Sequence, residues 1–203
     1  KATDCLVIGE SIPGGTTTAL ATLRGLGIEA SVSSSMPKNP IEIKNNVVSS
    51  ALKRKKSDDA FEIVAELGDP MIPVCTGMLS EASKNCRVIL AGGTQMTAVL
   101  AFAKKVGYEK NNTAIGCTSY IIDDKEALFL ETVKQIDDIA VLAIDPMLSD
   151  SQFHGLRSYS EGFVKEGAGA GGSLIASVLK TGRSSERLLE LIEKEYQRIS
   201  TLQ

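Results

Sequence analysis

The stretch DCLVIGESIPGGTTT, residues 4–18, joins a short apolar run to a glycine-rich turn and a run of threonines. The apolar run at residues 5–8 is bounded by Asp4 and Gly9, which is typical of a strand buried on both faces of a parallel sheet. A helical pattern follows at residues 16–26. This succession predicts a strand–turn–helix unit, from which α/β folds are built.

The same alternation continues along the chain. Further strand-like apolar runs lie at residues 87–90, 113–115 and 139–144, and helical patterns lie at residues 40–53, 95–105 and 185–199. We therefore predict an α/β fold with a doubly wound, mostly parallel sheet and helices on both faces, a Rossmann-like three-layer arrangement. Ligands of such sheets bind at the C-terminal ends of the strands.

The helix predicted at residues 40–53 has a clear start signal. Asn39 is its expected N-cap, because Pro40 and Glu42 follow at favourable positions. Its apolar residues are predicted to share one face, namely Ile43, Val47, Val48 and Leu52.

Residues 1–203 are expected to form a single domain. Because a strand begins within four residues of the start, we also expect that an N-terminal portion of the full protein is missing.

The composition argues against several classes of partner. Of the 203 residues, 43% are hydrophobic and 23% charged, and the net charge is −3, which gives no indication of a nucleic-acid partner. The basic run at residues 53–56 ends a helical pattern, where it complements the helix dipole. No apolar run reaches the roughly 18 residues of a membrane span and no signal peptide is visible, so a cytoplasmic protein is expected.

Metal and disulfide chemistry are not expected either. The four cysteines contain no C-x-x-C pair, and the single histidine, His154, completes no zinc motif. We interpret the cysteines as reduced, mostly buried thiols and His154 as structural.

Three glycine-rich turns are candidates for ligand binding. In the first, Gly14, Gly15, Thr16 and Thr17 open a helix whose free N–H groups suit a phosphate. Its spacing partly matches a nucleoside-triphosphate loop, but Gly15 occupies the lysine position. A tight turn without a ligand explains the local pattern equally well.

The other two turns also lead into helices. Gly92 and Gly93 form the second, for which close packing of helix on sheet is the alternative explanation. The third places Glu166 before a run that includes Gly167 and Gly169, so it could hold a carboxylate beside a ligand. Its alternative is a flexible or tightly packed loop.

Taken in order, these segments resemble the nicotinate-nucleotide:dimethylbenzimidazole phosphoribosyltransferases, particularly their archaeal-type relatives. The turn GESIPGGTT at residues 9–17 is similar to the family's G-E-x-G-I-G-N-T-T, and KNNVVSSAL at 44–52 is similar to K-x-x-V-x-x-A-L. LGDPMI at 67–72 with ILAGG at 89–93 resembles G-G-F-E-I-A followed by D-G-F, and KEGAGA at 165–170 resembles G-E-G-S-G-A. Each motif alone is weak, whereas four in order are fairly specific.

The resemblance implies transfer of a 5-phosphoribosyl group from nicotinate mononucleotide to a benzimidazole-type base. The product, an α-ribazole phosphate, supplies the lower ligand of cobamides, the vitamin B12-type cofactors. By resemblance Glu166 is the general base, Glu10 a second active-site carboxylate and Lys44 a phosphate-side lysine. The resemblance also implies a homodimer and no metal or redox cofactor. Without this resemblance, Lys44 would be interpreted as a surface residue.

Two departures from the family pattern bear on the site. Pro13-Gly14-Gly15 replaces I-G-N, and only a loose counterpart of the family's S-H-x-S-A-E-P-G-H stretch occurs at residues 151–158. In the family much of the base pocket comes from residues N-terminal to this chain, so the accepted base is not set by this sequence. Alternative functions are transfer to another base such as adenine or a phenol, a non-catalytic nucleotide-binding module, and a kinase-type nucleotide hydrolase.

Overall fold

The computed structural model describes residues 3–201, and its centre is a parallel sheet of four strands. The strands lie side by side in chain order and are β1 (Cys5–Gly9), β2 (Arg87–Ala91), β3 (Thr113–Thr118) and β4 (Ala140–Ile144). All four predicted strands are present, and β3 runs three residues further than the sequence pattern indicates. The predicted parallel α/β fold is confirmed.

Ten α-helices occur among residues 3–201. Those that connect the strands are α1 (Gly15–Gly25), α2 (Ile41–Leu52), α3 (Ala60–Leu67), α4 (Met71–Ala82), α5 (Thr94–Val106), α6 (Ser119–Ile122) and α7 (Phe129–Ile136). Those that follow the last strand are α8 (His154–Arg157), α9 (Ala170–Thr181) and α10 (Ser185–Ser200). Within this described part of the chain, no helix has the length and apolar character needed to cross a membrane.

One face of the sheet carries the main hydrophobic core. Ile8, Leu90 and Ile115 stand side by side on this face because β1, β2 and β3 are in register. All three are buried in one cluster with apolar side chains of α1, α4, α5 and α7. The core is made of aliphatic residues, as expected for a parallel sheet covered by helices.

The opposite face is covered by α9, which packs against all four strands. Its first turn approaches the sheet so closely that side chains are excluded. A Cβ on Gly171 would lie 2.0 Å from the carbonyl carbon of Cys117, and one on Gly172 would lie 2.4 Å from the Cβ of Ala91. The glycines after residue 168 therefore let α9 rest on the backbone of β2 and β3.

The structure corrects the predicted face of α2. Lys44 and Val48 are its buried residues, whereas Ile43 and Val47 are 66% and 52% exposed. Lys44 and Val48 lie four residues apart, so they share one face of the helix, and this is the buried face. The lysine can be buried because its ammonium group finds acceptors inside the fold.

The predicted cap of this helix is also wrong. Pro40 occupies the N-cap position and no side chain caps the helix. The Asn39 amide instead donates to the carbonyl of Val32 (2.8 Å), and its oxygen accepts from the Lys44 ammonium group (2.9 Å). Asn39 thus fixes the segment before α2 rather than the helix itself.

The close approach of α9 can be tested by Gly171→Ala. We expect a loss of about 1–3 kcal/mol of unfolding free energy, because the new methyl group would overlap backbone atoms of β3. Gly77→Ala is the matched control. Gly77 lies in α4 with open space around its Cβ position, so alanine should raise stability by about 0.5–1 kcal/mol. Urea denaturation measures both, and equal effects would contradict the packing described.

Candidate active site

A cavity of about 360 Å³ opens at the C-terminal ends of the strands. Its walls come from four separate segments, residues 10–16, 33–35, 93–95 and 164–168, together with Ile121. The volume falls in the range of small-molecule sites, roughly 300–1,000 Å³. Two of the three predicted glycine turns, at residues 9–18 and 165–173, supply much of the wall, and the second turn supplies Gly93. The first and third turns meet where Gly9 lies against Ala168.

The N-terminus of α1 forms one wall. Gly14 is the N-cap, with a left-handed φ of 74° that glycine adopts without strain, and no side chain caps the helix. Gly14, Gly15 and Thr16 all line the cavity. A helix start left open in this way presents N–H groups and the positive end of the dipole to an anion.

Glu166 also lines the cavity and is held by two backbone amides. One carboxylate oxygen accepts from the N–H of Thr118 (2.6 Å), at the end of β3. The other accepts from the N–H of Gly171 (2.8 Å), in the first turn of α9. The carboxylate therefore joins the sheet edge to the helix, and its orientation is fixed by both.

The surroundings of Glu166 favour proton uptake relative to a glutamate in water. Burial raises the pKa of Glu166 above its ordinary value, although the hydrogen bonds from Thr118 and Gly171 oppose the shift. Burial, with the nearby carboxylate, raises the pKa of Cys117 to about 12 and also raises the pKa of Tyr159. Glu166 is thus a largely buried carboxylate at the cavity wall, and the nearby Cys117 and Tyr159 are not ionised at neutral pH.

Glu10 lies directly after β1 and also lines the cavity. Its carboxylate accepts from the N–H of Ile12 (2.8 Å), which folds the turn back on itself. Burial raises the pKa of Glu10, the Ile12 amide opposes this, and the negative charge of Asp69 raises it further. Asp69 in turn accepts hydrogen bonds from the hydroxyl of Thr18 and the N–H of Met71. No local sequence pattern singles out Asp69, the second carboxylate beside Glu10.

Lys44 lies next to the cavity rather than on its wall. Its ammonium group donates to the carbonyl of Ser33 (2.7 Å) and to Asn39 (2.9 Å), and the residue is only 6% exposed. Burial lowers the pKa of Lys44, and the positive charge of Lys165 lowers it further. Lys44 therefore supports the serine segment, residues 33–35, which forms part of the wall. Its role in binding phosphate stays a prediction.

Lys165 lines the cavity, and no sequence motif assigns it a role. Its ammonium group pairs with Asp124 (3.1 Å) and donates to the carbonyl of Ser34 (3.2 Å) and the hydroxyl of Ser33 (3.4 Å). The Ser33 hydroxyl also donates to Asp124 (2.6 Å). The three consecutive serines and the lysine next to Glu166 are visible in the sequence, but nothing local links them to Asp124.

The remaining predicted ligand residues occupy different positions. Gly167 lines the cavity, as does Gly93. Gly92 and Thr17 are not on the wall. Gly92 lies against Met96, and Thr17 donates its N–H to the carbonyl of Gly14 (2.9 Å). Gly169 is buried, and a Cβ there would lie 2.6 Å from the carbonyl oxygen of Ala91. These placements give Gly92 and Gly169 clear packing roles, and their ligand contacts stay predictions.

The histidine and the cysteines of residues 3–201 are not part of the cavity wall. His154 is exposed at the start of α8. All four cysteines are free thiols; Cys75 and Cys117 are buried, Cys86 is half-buried and Cys5 is exposed. Within residues 3–201, no group of three His, Cys, Asp or Glu side chains is arranged to hold a metal ion.

The chain is similar to known proteins of one family. A phosphoribosyltransferase family model matches residues 1–119, more than half of the chain. The chain is a member of the nicotinate-nucleotide:dimethylbenzimidazole phosphoribosyltransferase family. The resemblance drawn from the four motifs is confirmed. The matched residues contain the α1 turn and Lys44 but end before Glu166.

Curated archaeal relatives extend the similarity over nearly the whole chain. A UPF0284 protein of Archaeoglobus fulgidus is 44% identical over 199 residues, which are 98% of this chain and 56% of the relative. UPF0284 proteins of Pyrococcus abyssi (42% identity, 96% of this chain, 58% of the relative) and Methanocaldococcus jannaschii (41%, 95%, 57%) are similar. The chain thus spans a little more than half the length of these relatives.

The supporting role of Lys44 predicts a stability effect. Lys44→Met should lower the unfolding free energy by about 1–3 kcal/mol, because the Ser33 carbonyl and the Asn39 oxygen lose a buried donor. Lys84→Met is the control, because it removes a pair with Glu81 whose two side chains are 59% and 74% exposed, and the change should stay within about 1 kcal/mol. Guanidinium denaturation compares the two. An equal loss in both variants would show that Lys44 does not support the serine segment.

Proposed function

We propose that this protein transfers the 5-phosphoribosyl group of nicotinate mononucleotide to a benzimidazole-type base. The product is an α-ribazole phosphate, used for the lower ligand of cobamides. Membership of a phosphoribosyltransferase family supports the class of reaction. The observation that carries the proposal is the position of the Glu166 carboxylate, in one cavity with the open N-terminus of α1.

In this proposal the phosphate of the donor binds at the start of α1. Gly14, Gly15 and Thr16 line the cavity at the start of α1, where the helix dipole favours an anion. Lys44 adds positive charge from behind the serine segment. A phosphate fixed at this distance from the reacting carbon orients the ribose for attack.

Glu166 acts as general base in the proposed reaction. One nitrogen of the acceptor base attacks the anomeric carbon of the ribose, the bond to the nicotinate nitrogen breaks, and nicotinate leaves with the bonding electron pair. The configuration inverts to the α-glycoside. The proton lost from the other nitrogen of the benzimidazole passes to the Glu166 carboxylate, whose raised pKa makes it a better proton acceptor than a glutamate in water.

Glu10 has an electrostatic role in this scheme. Positive charge develops on the ribose as nicotinate leaves, and a fixed carboxylate at the cavity wall stabilises it. We expect the effect of Glu10→Gln to be milder than that of Glu166→Gln, because Glu10 takes up no proton.

The accepted base, a homodimeric assembly and a cytoplasmic location remain part of the proposal. A different acceptor such as adenine or a phenol would use the same donor site and the same proton acceptor. The chemistry proposed here involves proton transfer and displacement at carbon, and no redox step.

The direct test is a transferase assay with a panel of acceptors. Purified protein is incubated with nicotinate mononucleotide and, separately, 5,6-dimethylbenzimidazole, benzimidazole, adenine or p-cresol, and both nicotinate and the ribotide product are quantified. We expect nicotinate release that depends on a benzimidazole. Equal release with and without any acceptor, or no release at all, would contradict the proposed transfer.

Glu166→Gln tests the general base. Turnover should fall roughly 100- to 10,000-fold, the range of general-base contributions, while calorimetry shows that nicotinate mononucleotide still binds. In the wild type, kcat/KM should fall as the pH drops through the raised pKa of Glu166, because the protonated carboxyl cannot accept a proton. Glu161→Gln, on the exposed surface, is the control. An unchanged rate in Glu166→Gln would remove this residue from the mechanism.

A further inference from the structure

The backbone that carries Glu166 is in an unusual conformation. Val164, Lys165 and Ala168 have φ values of 63°, 37° and 54°, in the left-handed region that favours glycine. Residues other than glycine stay in this region only where surrounding contacts hold them there. The segment 164–168, called here the base loop, therefore needs external restraints close to Glu166.

Lys165 supplies restraints on both its main chain and its side chain. Its carbonyl oxygen accepts from the hydroxyl of Thr118 (2.9 Å), the same residue whose N–H binds the Glu166 carboxylate. Its ammonium group reaches the other way, to Asp124 and to the serine segment. The N–H of Val164 donates to the carbonyl of Ser35 (2.9 Å), so the base loop is joined to that segment at two neighbouring residues.

Asp124 is a well-held partner for this lysine. The two side chains are 13% and 9% exposed. Although burial would raise the pKa of Asp124, the hydrogen bonds from Ser33 and Lys165 hold it below its ordinary value, so the carboxylate stays ionised at neutral pH. Its second oxygen accepts from the N–H of Glu126 (3.1 Å), which fixes it to the segment before α7. Breaking a buried, hydrogen-bonded pair of this kind leaves an unpaired charge, which the loop can avoid only by moving.

We propose that Lys165 is a positioning residue for Glu166, which acts through its ion pair with Asp124 and its hydrogen bonds to Ser33 and Ser34. The pair holds the base loop in its left-handed conformation and so keeps the Glu166 carboxylate between Thr118 and Gly171. The three acceptors around the ammonium group match its three protons, so Lys165 supports the wall instead of offering a free donor to the ligand. The catalytic consequence rests on the proposed function; the structural role does not.

The kinetic test compares Lys165→Ala, Lys165→Gly, Asp124→Asn and the double variant Lys165→Ala/Asp124→Asn. We expect each single variant to lower kcat at least 10-fold, with KM for nicotinate mononucleotide within about 3-fold of wild type. A displaced Glu166 carboxylate should affect proton transfer more than donor binding. The double variant should be no worse than the worse single variant, because both remove the same pair. Lys165→Arg should recover part of the rate. Lys104→Ala, which removes an ion pair with Asp137 outside the cavity, is the control.

A second measurement does not depend on turnover. Hydrogen exchange of the Thr118 and Gly171 amides, both donors to Glu166, should be at least 10-fold faster in Lys165→Ala and Asp124→Asn than in wild type and in Lys104→Ala. If wild-type protein lacks transferase activity, the proposed function fails and the exchange data still decide the role of Lys165.

Two results would overturn the proposal. Unchanged protection of both amides would show that the ion pair does not hold the base loop. A raised KM in Lys165→Ala, with unchanged kcat and with Asp124→Asn behaving as wild type, would show that Lys165 binds the donor directly.

Discussion

The close contact between α9 and the sheet determines the geometry of the site. Because Gly171 and Gly172 have no side chains, the start of α9 rests on the backbone of β2 and β3. This brings the Gly171 amide within reach of the same carboxylate that the Thr118 amide binds at the end of β3. A side chain at Gly171 would move α9 away from β3 and leave Glu166 without one of its two donors.

The site combines opposite electrostatic environments within one small cavity. At α1, an uncapped helix start without an acidic residue in its first turn favours an anion. Glu166 and Glu10, which line the same cavity, are carboxylates whose pKa values are raised mainly by burial. A ligand with a phosphate at one end and a centre that becomes positively charged at the other matches this arrangement. Nicotinate mononucleotide has these properties in the proposed reaction.

Much of the fold could be predicted from local sequence, because its signals are local. The four strands are short apolar runs between polar or glycine residues, and α5 is recognisable by its helical spacing of Met96, Val99 and Leu100, all fully buried. The sequence patterns do not predict five of the helices, namely α3, α4, α6, α7 and α8. The face of α2 was predicted wrongly because hydrophobicity alone cannot identify a buried lysine whose partners, Ser33 and Asn39, precede the helix.

The candidate site could be predicted only in part, because several of its contacts join residues that are far apart in the sequence. The glycine turns and Glu166 stand out because their local composition is unusual, and the family motifs point to them. The contacts of Lys165 with Asp124 and of Thr18 with Asp69 join residues 41 and 51 positions apart, and no local pattern signals either pair. Gly169 shows the opposite problem, since a glycine needed for close packing looks the same in sequence as one that faces a ligand.

The central claim is that the start of α1 binds the donor phosphate while Glu166 faces the reacting carbon. A crystal structure of the protein with nicotinate mononucleotide tests this most directly. We expect the phosphate within hydrogen-bonding distance of the Gly15 and Thr16 amides. We expect the anomeric carbon on the side of the cavity that Glu166 lines, with room for a planar acceptor base between that carbon and the Glu166 carboxylate. A nucleotide bound with its phosphate next to Glu166, or bound outside this cavity, would contradict it.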